Sequence, residues 1–194
     1  MIIELPVTLK MGDLMSEEEF FQFCQMNETL EFERDSERNI IVKPLKGSSI
    51  SNSNLRISME FFLWNRMMNL GESFGSSTGF TLPNGAVRCS QFSWIKTERW
   101  DALAREDQER FAPISPDFIM EIRSKFDDLK YLQDKMEEYI SNGTQLGWLI
   151  DRFDNKVYIY NADKTIVVHD TLNVKLSGET ILPGFVLDLE VVVK

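Results

Sequence analysis

"PDFIMEIRSKFDDLKYLQDKMEEYISNGTQLGWLID", residues 116–151, carries the decisive pattern of this chain. Phe118 to Arg123 reads as a strand. Alternation puts Phe118, Met120 and Ile122 on one face and Asp117, Ile119, Glu121 and Arg123 on the other. A helix follows from about Asp127 to Ser141, stopped by Asn142-Gly143, with Leu129, Leu132, Met136 and Ile140 as its core stripe. "LGWLID" is then a further strand. A carboxylate in an apolar strand is costly unless a metal ion, a cation or a proton compensates it. Lys135 sits beside the helix stripe with Tyr131 and Tyr139 one turn away on either side, so its stem can lie on apolar surface while its ammonium reaches the sheet. Lys130 lies opposite, near Asp134 and Glu137, as a solvated lysine. Two readings fit this pattern. One is a structural ion pair of Glu121 with Arg123 or Lys135. The other is metal-dependent phosphodiester hydrolysis, in which oxygen ligands hold Mg²⁺ and a lysine steadies the developing negative charge.

Working outward, Ser16-Glu17-Glu18-Glu19 is a capping box that opens a short amphipathic helix to about Asn27. "LEFERDSERNIIVKPL" predicts two strands around a polar turn at Asp35 to Asn39, and "KGSSISNSN" a loop. The helix from Leu55 to Leu70, closed by Gly71, has Leu55, Met59 and Phe62 on one side and Ile57, Phe61, Trp64 and Met68 on another. A helix apolar on two sides is either deeply buried or shared with another subunit, and a homodimer is expected. Strands on either side of Pro83-Asn84-Gly85 follow, the second over 87–95, and Thr97 is expected to cap a helix through "ERWDALAREDQERF". "KVYIYN", "TIVVHD" and a short piece of "LSGETILPGFVLDLEVV" complete the strands. No repeat or linker divides the chain. The order predicts one α/β (α+β) domain over 1–194 around a mixed sheet, with 1–15 as an N-terminal extension.

The bulk numbers narrow the function classes. A chain of 194 residues, 43% hydrophobic and 27% charged, can bury a core without staples. Its apolar runs are too short or too interrupted to span a bilayer, and its start lacks a signal-peptide pattern, so the expected location is cytoplasmic, with no membrane partner. Cys24 and Cys89 are read as small buried hydrophobes, and a single histidine, His169, argues against a zinc site. The acids outnumber the bases by 31 to 21, giving a net charge of −10. A nucleic-acid binder of this composition would need a basic cleft on an acidic body. Trp64, Trp94, Trp100 and Trp148 fall on different elements and read as core rather than as a base-stacking platform.

The segments "LPNGAVRCSQFSWIKTERWDAL", "FAPISPDFIMEIRS", "DLKYLQDKMEEYISNGTQLGWLID" and "LSGETILPGFVLDL", with the early "EFERD", resemble the Uma2 family of restriction-endonuclease-like proteins, especially numerous in cyanobacteria. The resemblance covers the chain from about Ser16. It implies the PD-(D/E)xK nuclease fold, a central mixed β-sheet flanked by helices, and a Mg²⁺- or Mn²⁺-dependent endonuclease acting on DNA. It matches Glu121 to the metal-binding glutamate, Asp117 to the aspartate opening that strand, and Lys135 to the lysine carried on the following helix. Arg123 stands where an E-x-K lysine would. The family's Ser-Pro-Asp-Ala-Ser-Trp is here "CSQFSW", so Gln91 takes the aspartate's place and offers a neutral amide oxygen to a hard cation. Weak metal binding and impaired turnover are therefore expected. The alternative is a catalytically silent scaffold that serves as a binding or oligomerisation module. Glu33 matches an acid often present in the family and could sit near the site, and a surface strand acid explains it equally, so it is a weak candidate. Glu60 lies on a helix where related nucleases place a supporting glutamate, and a pair with Arg56 also explains it.

Overall fold

The computed structural model describes residues 6–43, 48–125, 127–178 and 180–192. Strand β1 (Val7–Leu9) falls within the expected N-terminal extension and pairs antiparallel with β3. Helix α1 (Glu17–Met26) starts at the capping box, with Ser16 accepting from the Glu19 N–H and Glu19 accepting from the Ser16 N–H. Strands β2 (Glu31–Arg34) and β3 (Ile40–Lys43) form a hairpin. Its turn is held by Asp35, whose carboxylate accepts from the N–H groups of Glu37 and Asn39.

Helix α2 (Ser48–Met68) is longer than the sequence predicts. Of the expected loop, Lys46 and Gly47 lie outside the described residues, and 48–54 is helical. Ser53 and Asn54 are buried there, and tertiary burial overrides their weak helix propensity. Asn69 ends the helix, not Gly71. Asn69 takes a left-handed φ of 51° and its N–H donates to the Asn65 carbonyl. Gly71 instead opens β4 (Gly71–Gly75), where a Cβ would lie 2.3 Å from the Ile95 carbonyl oxygen.

Strands β5 (Gly79–Thr81) and β6 (Val87–Cys89) flank the Pro83-Asn84-Gly85 turn. The single strand expected over 87–95 is interrupted, and β7 (Phe92–Lys96) begins in a different sheet. At the break the Ser90 hydroxyl donates to the Phe92 carbonyl and meets the Ser93 hydroxyl, a local alternative to ladder bonding. The helix expected after Thr97 is two single turns, α3 (Thr97–Trp100) and α4 (Arg105–Gln108), and Thr97 is its first residue rather than its cap. The Gln108 side chain donates to the Trp100 carbonyl, the acceptor that a continuous helix would have given to residue 104.

The opening stretch forms a β-α-β unit: β8 (Phe118–Ile122), α5 (Leu129–Ser141) and β9 (Leu146–Asp151), with β8 and β9 parallel. Asp128 caps α5 through the Tyr131 N–H. Gly147 on β9 faces the helix, and a Cβ there would meet the Met136 side chain at 2.6 Å. Strands β10 (Lys156–Asn161) and β11 (Ile166–His169) continue as antiparallel neighbours. Strands β12 (Lys175–Ser177) and β13 (Val186–Asp188) pair separately before α6 (Leu189–Val192).

The expected mixed sheet is the six-stranded β11-β10-β9-β8-β7-β4, and a five-stranded sheet, β1-β3-β2-β6-β5, stands beside it. One core lies under α2, where Ile57, Phe61 and Trp64 pack on Phe92, Phe118, Trp148 and Phe185. A second lies under α5, where Leu132, Met136, Tyr139 and Ile140 pack on Ile119 and Leu149, and a third, smaller one joins Phe20 of α1 to Phe32, Ile40 and Val87. The two faces of β8 are therefore both buried, and Glu121 looks into the α5 side with Ile119.

Candidate active site

Glu121 and Lys135 meet. Strand β8 fixes the first and the second turn of α5 the second, and the Lys135 ammonium lies 2.7 Å from Glu121 Oε1. Both are buried, at 4% and 3% exposure. The pair is therefore Glu121–Lys135, and Arg123 takes no part in it. Arg123 turns to Asp151, the last residue of β9, and to Asp154 in the turn after it.

The centre of the arrangement is an acid that sequence reasoning left among weak candidates. Glu33, in the middle of β2, is wholly buried. Its Oε1 accepts from Lys135 at 2.6 Å, Lys43 at 3.0 Å and the Cys89 N–H at 3.3 Å. Its Oε2 accepts from the Tyr131 hydroxyl at 3.1 Å and from Arg88 at 3.3 Å. Arg88 also holds Glu138 at 2.6 Å. Lys135 completes its set by donating to the Cys89 carbonyl, so each of its three N–H bonds has an acceptor. Glu121 stands between Met120 and Ile122, whereas Glu33 stands between Phe32 and Arg34, so the pattern that found the first acid is only half present at the second.

Electrostatics bind the cluster together. Burial alone would raise the Glu33 carboxyl, but Lys135, Lys43 and Arg88 outweigh it and hold the group well below the usual carboxylate range. Burial would lower the Lys43 ammonium, and Glu33 instead holds it well above its ordinary value. Burial raises the Tyr131 hydroxyl, and Glu33 raises it further. The Cys89 thiol is pushed up to about 11 by burial, so it stays a neutral, unreactive lining group. Lys43 and Cys89 also line a cavity of about 290 Å³ with Cys24, Phe32, Ser76 and Ser77, which brings open space to the edge of the cluster.

Asp117 spends its charge outside this cluster. Asp117 is buried at the start of β8, with Arg99 2.9 Å from one oxygen and the Lys96 N–H donating to the other. Gln91 is buried at the break before β7. The register Phe92↔Met120, extended by one residue, sets its backbone opposite Glu121. Glu60 is exposed on the outer side of α2, and His169 is half-buried at the end of the edge strand β11. Trp64, Trp94 and Trp148 are core, and Trp100 packs against the α5-side core.

A divalent cation does not fit this donor set as it stands. Glu121 Oε1 faces an ammonium, Asp117 faces a guanidinium, and position 91 carries a neutral amide. Among the described residues no three Asp, Glu, His or Cys side chains converge where a metal could be held.

Comparison with known proteins gives three findings. No curated protein sequence matches the chain. A crystal structure of "a putative nuclease belonging to DUF820 from Anabaena variabilis ATCC 29413" matches with a TM-score of 0.70 at 19% identity, over 84% of this chain and 89% of that one, which shows a shared fold. The sequence itself matches the Uma2 family, described as "Putative restriction endonuclease", over residues 17–190. That span takes in every strand from β2 to β13 and the β8–α5 pair, and the chain belongs to the Uma2 family.

Proposed function

We propose that this chain is a DNA-directed phosphodiesterase of the restriction-endonuclease type, with Glu121, Lys135 and Asp117 as its reaction residues and with turnover impaired by its own charge balance. The observation that carries the reading is the buried Glu121–Lys135 contact, which joins an acid in mid-strand to a lysine on the following helix. The impairment follows from position 91. A neutral amide stands where a second carboxylate would help gather a cation, so Mg²⁺ or Mn²⁺ binds weakly if Glu121, Asp117 and Gln91 are its ligands. No helix among the described residues is long and apolar enough to cross a membrane.

A nicking assay on supercoiled plasmid with Mn²⁺ tests this, together with calorimetric titration of the metal. Wild type should nick weakly, and Gln91→Asp should bind metal at least about tenfold tighter, as expected for one added charge in a partly enclosed site, and nick faster. Glu121→Gln in the Gln91→Asp background should abolish the gain. If Gln91→Asp neither binds metal more tightly nor nicks, the second reading takes its place: a silent nuclease-fold scaffold serving as a binding or oligomerisation module. The observation favouring that reading is that Lys135 has no N–H left for a phosphate.

We also propose a homodimer through α2. Leu55, Met59, Phe62, Leu63 and Met67 are exposed along its outer side, and Leu70 just past its end. Their combined open area is on the order of the 800 Å² that each subunit contributes to a standard interface. The ridge is a convex helix, and a partner must bring an equally long apolar surface. A second copy supplies one.

A further inference from the structure

Five donors converge on the two oxygens of Glu33: the ammoniums of Lys43 and Lys135, the Arg88 guanidinium, the Tyr131 hydroxyl and the Cys89 N–H. They come from β3, β6 and α5, so the tertiary fold rather than any one element assembles them. A carboxylate on a buried strand needs one or two such partners, not three cations. Two of those cations have an outer acid as well, Glu121 on Lys135 and Glu138 on Arg88, and Lys43 lies 3.8 Å from Glu31. Take Glu33 away, and the donors remain pointed at one place, with the adjoining cavity of about 290 Å³ leading to it past Lys43. Convergent cations, a hydroxyl and a backbone N–H are the donor set that recognises a tetrahedral oxyanion.

We propose that Glu33 fills, with its own carboxylate, an oxyanion site of the phosphate class formed by Lys43, Arg88, Lys135, Tyr131 and the Cys89 N–H, and so acts as an internal inhibitory contact. The inference rests on the reading of Lys135 as the cation on the phosphate side of the reaction. Lys135 is held by Glu33 on one side and Glu121 on the other. A phosphate arriving from the cavity meets an occupied site. Glu33 is thus a positioning residue whose charge sets whether Lys135 is available.

The test reads anion binding rather than turnover, so it can succeed where the nicking assay fails. Glu33→Ala and the near-isosteric Glu33→Gln are compared with wild type by thermal unfolding and calorimetry, in inorganic phosphate and in chloride of equal ionic strength. Wild type should show no stabilisation specific to phosphate. Glu33→Ala should bind one phosphate at least about tenfold tighter than wild type and unfold at a temperature that rises with phosphate concentration, as linkage requires. Glu33→Gln should do so less strongly, because its amide still fills the space. A variant that is unfolded in chloride and folds in phosphate supports the site equally. If both variants respond to phosphate as wild type does, or stay unfolded in phosphate and chloride alike, the proposal is overturned.

Discussion

Glu33 and Lys135 are almost wholly out of water, whereas Phe62 and Met67, on the outer side of α2, stand in it, Met67 at 81% exposure. The first region buries charge and the second exposes hydrocarbon, so each reverses the usual preference. The difference lies in partners. Every charge in the cluster is matched at 2.6–3.3 Å by a group from another strand or helix. The α2 ridge has Ile57, Phe61 and Trp64 matched on its inner side and Leu55, Met59 and Phe62 unmatched on its outer side. A buried charge with a full set of partners is a closed local problem. An apolar ridge without them is an open one, and the proposed homodimer would close it.

The contrast breaks hardest at the cluster. Glu121→Ala leaves Lys135 buried with one carboxylate fewer, and should destabilise the protein by about 3–5 kcal/mol in urea unfolding. A loss under about 1 kcal/mol would mean the pair behaves like a solvated one. Adjacent phenylalanines sharpen the second region. Phe61 packs with its ring centroid 4.0 Å from that of Phe92 and 4.2 Å from that of Phe185, so Phe61→Ala should lose about 3–4 kcal/mol. Phe62→Glu should change subunit stability by about 0.5 kcal/mol or less while shifting the sedimenting species from dimer to monomer. Equal stability losses at 61 and 62 would erase the distinction between the two sides of α2.

Acid should act on the cluster and not on the ridge. Because the Glu33 carboxyl is held below its ordinary value of 4.5, its contribution to stability is complete above that pH and is lost as pH falls toward the folded-state value. The urea midpoint of wild type should therefore drop as pH falls below 4.5, and Glu33→Gln should flatten that limb. The smallest effect belongs to Lys130, whose exposed pair with Asp134 is an ordinary surface contact. Lys130→Ala should move stability by less than about 0.5 kcal/mol.

Local pattern made β8, α5 and β9 legible, because alternation and the 3.6-residue stripe are properties of neighbouring residues. It also made the Glu121–Lys135 pair legible, since strand and helix are consecutive and the helix must fold back on the sheet. Glu33 was not, because it meets Lys135 across a separation of 102 residues and Arg88 across 55. No periodicity reports such a contact. The two single-turn helices after Lys96 were missed for a similar reason: a glutamine side chain intercepts a carbonyl, and propensity does not register that. Asp117 shared a strand face with Glu121 in the alternation, yet Arg99 from a neighbouring turn decides where its charge is spent.

Lys135 has one more consequence, for chemical labelling. An amine reacts with an acylating reagent only through a free lone pair, and an ammonium with all three hydrogens engaged must first leave its acceptors and lose a proton. Lys130, on the same helix and largely exposed, has no such barrier. The two lysines therefore form a matched pair of reporters within one stretch of chain. The acylation rate of Lys135 divided by that of Lys130 measures how often the interior between the two sheets opens to solvent. Any ligand, substitution or pH that loosens the Glu33 contacts should raise that ratio before it lowers the overall stability of the fold.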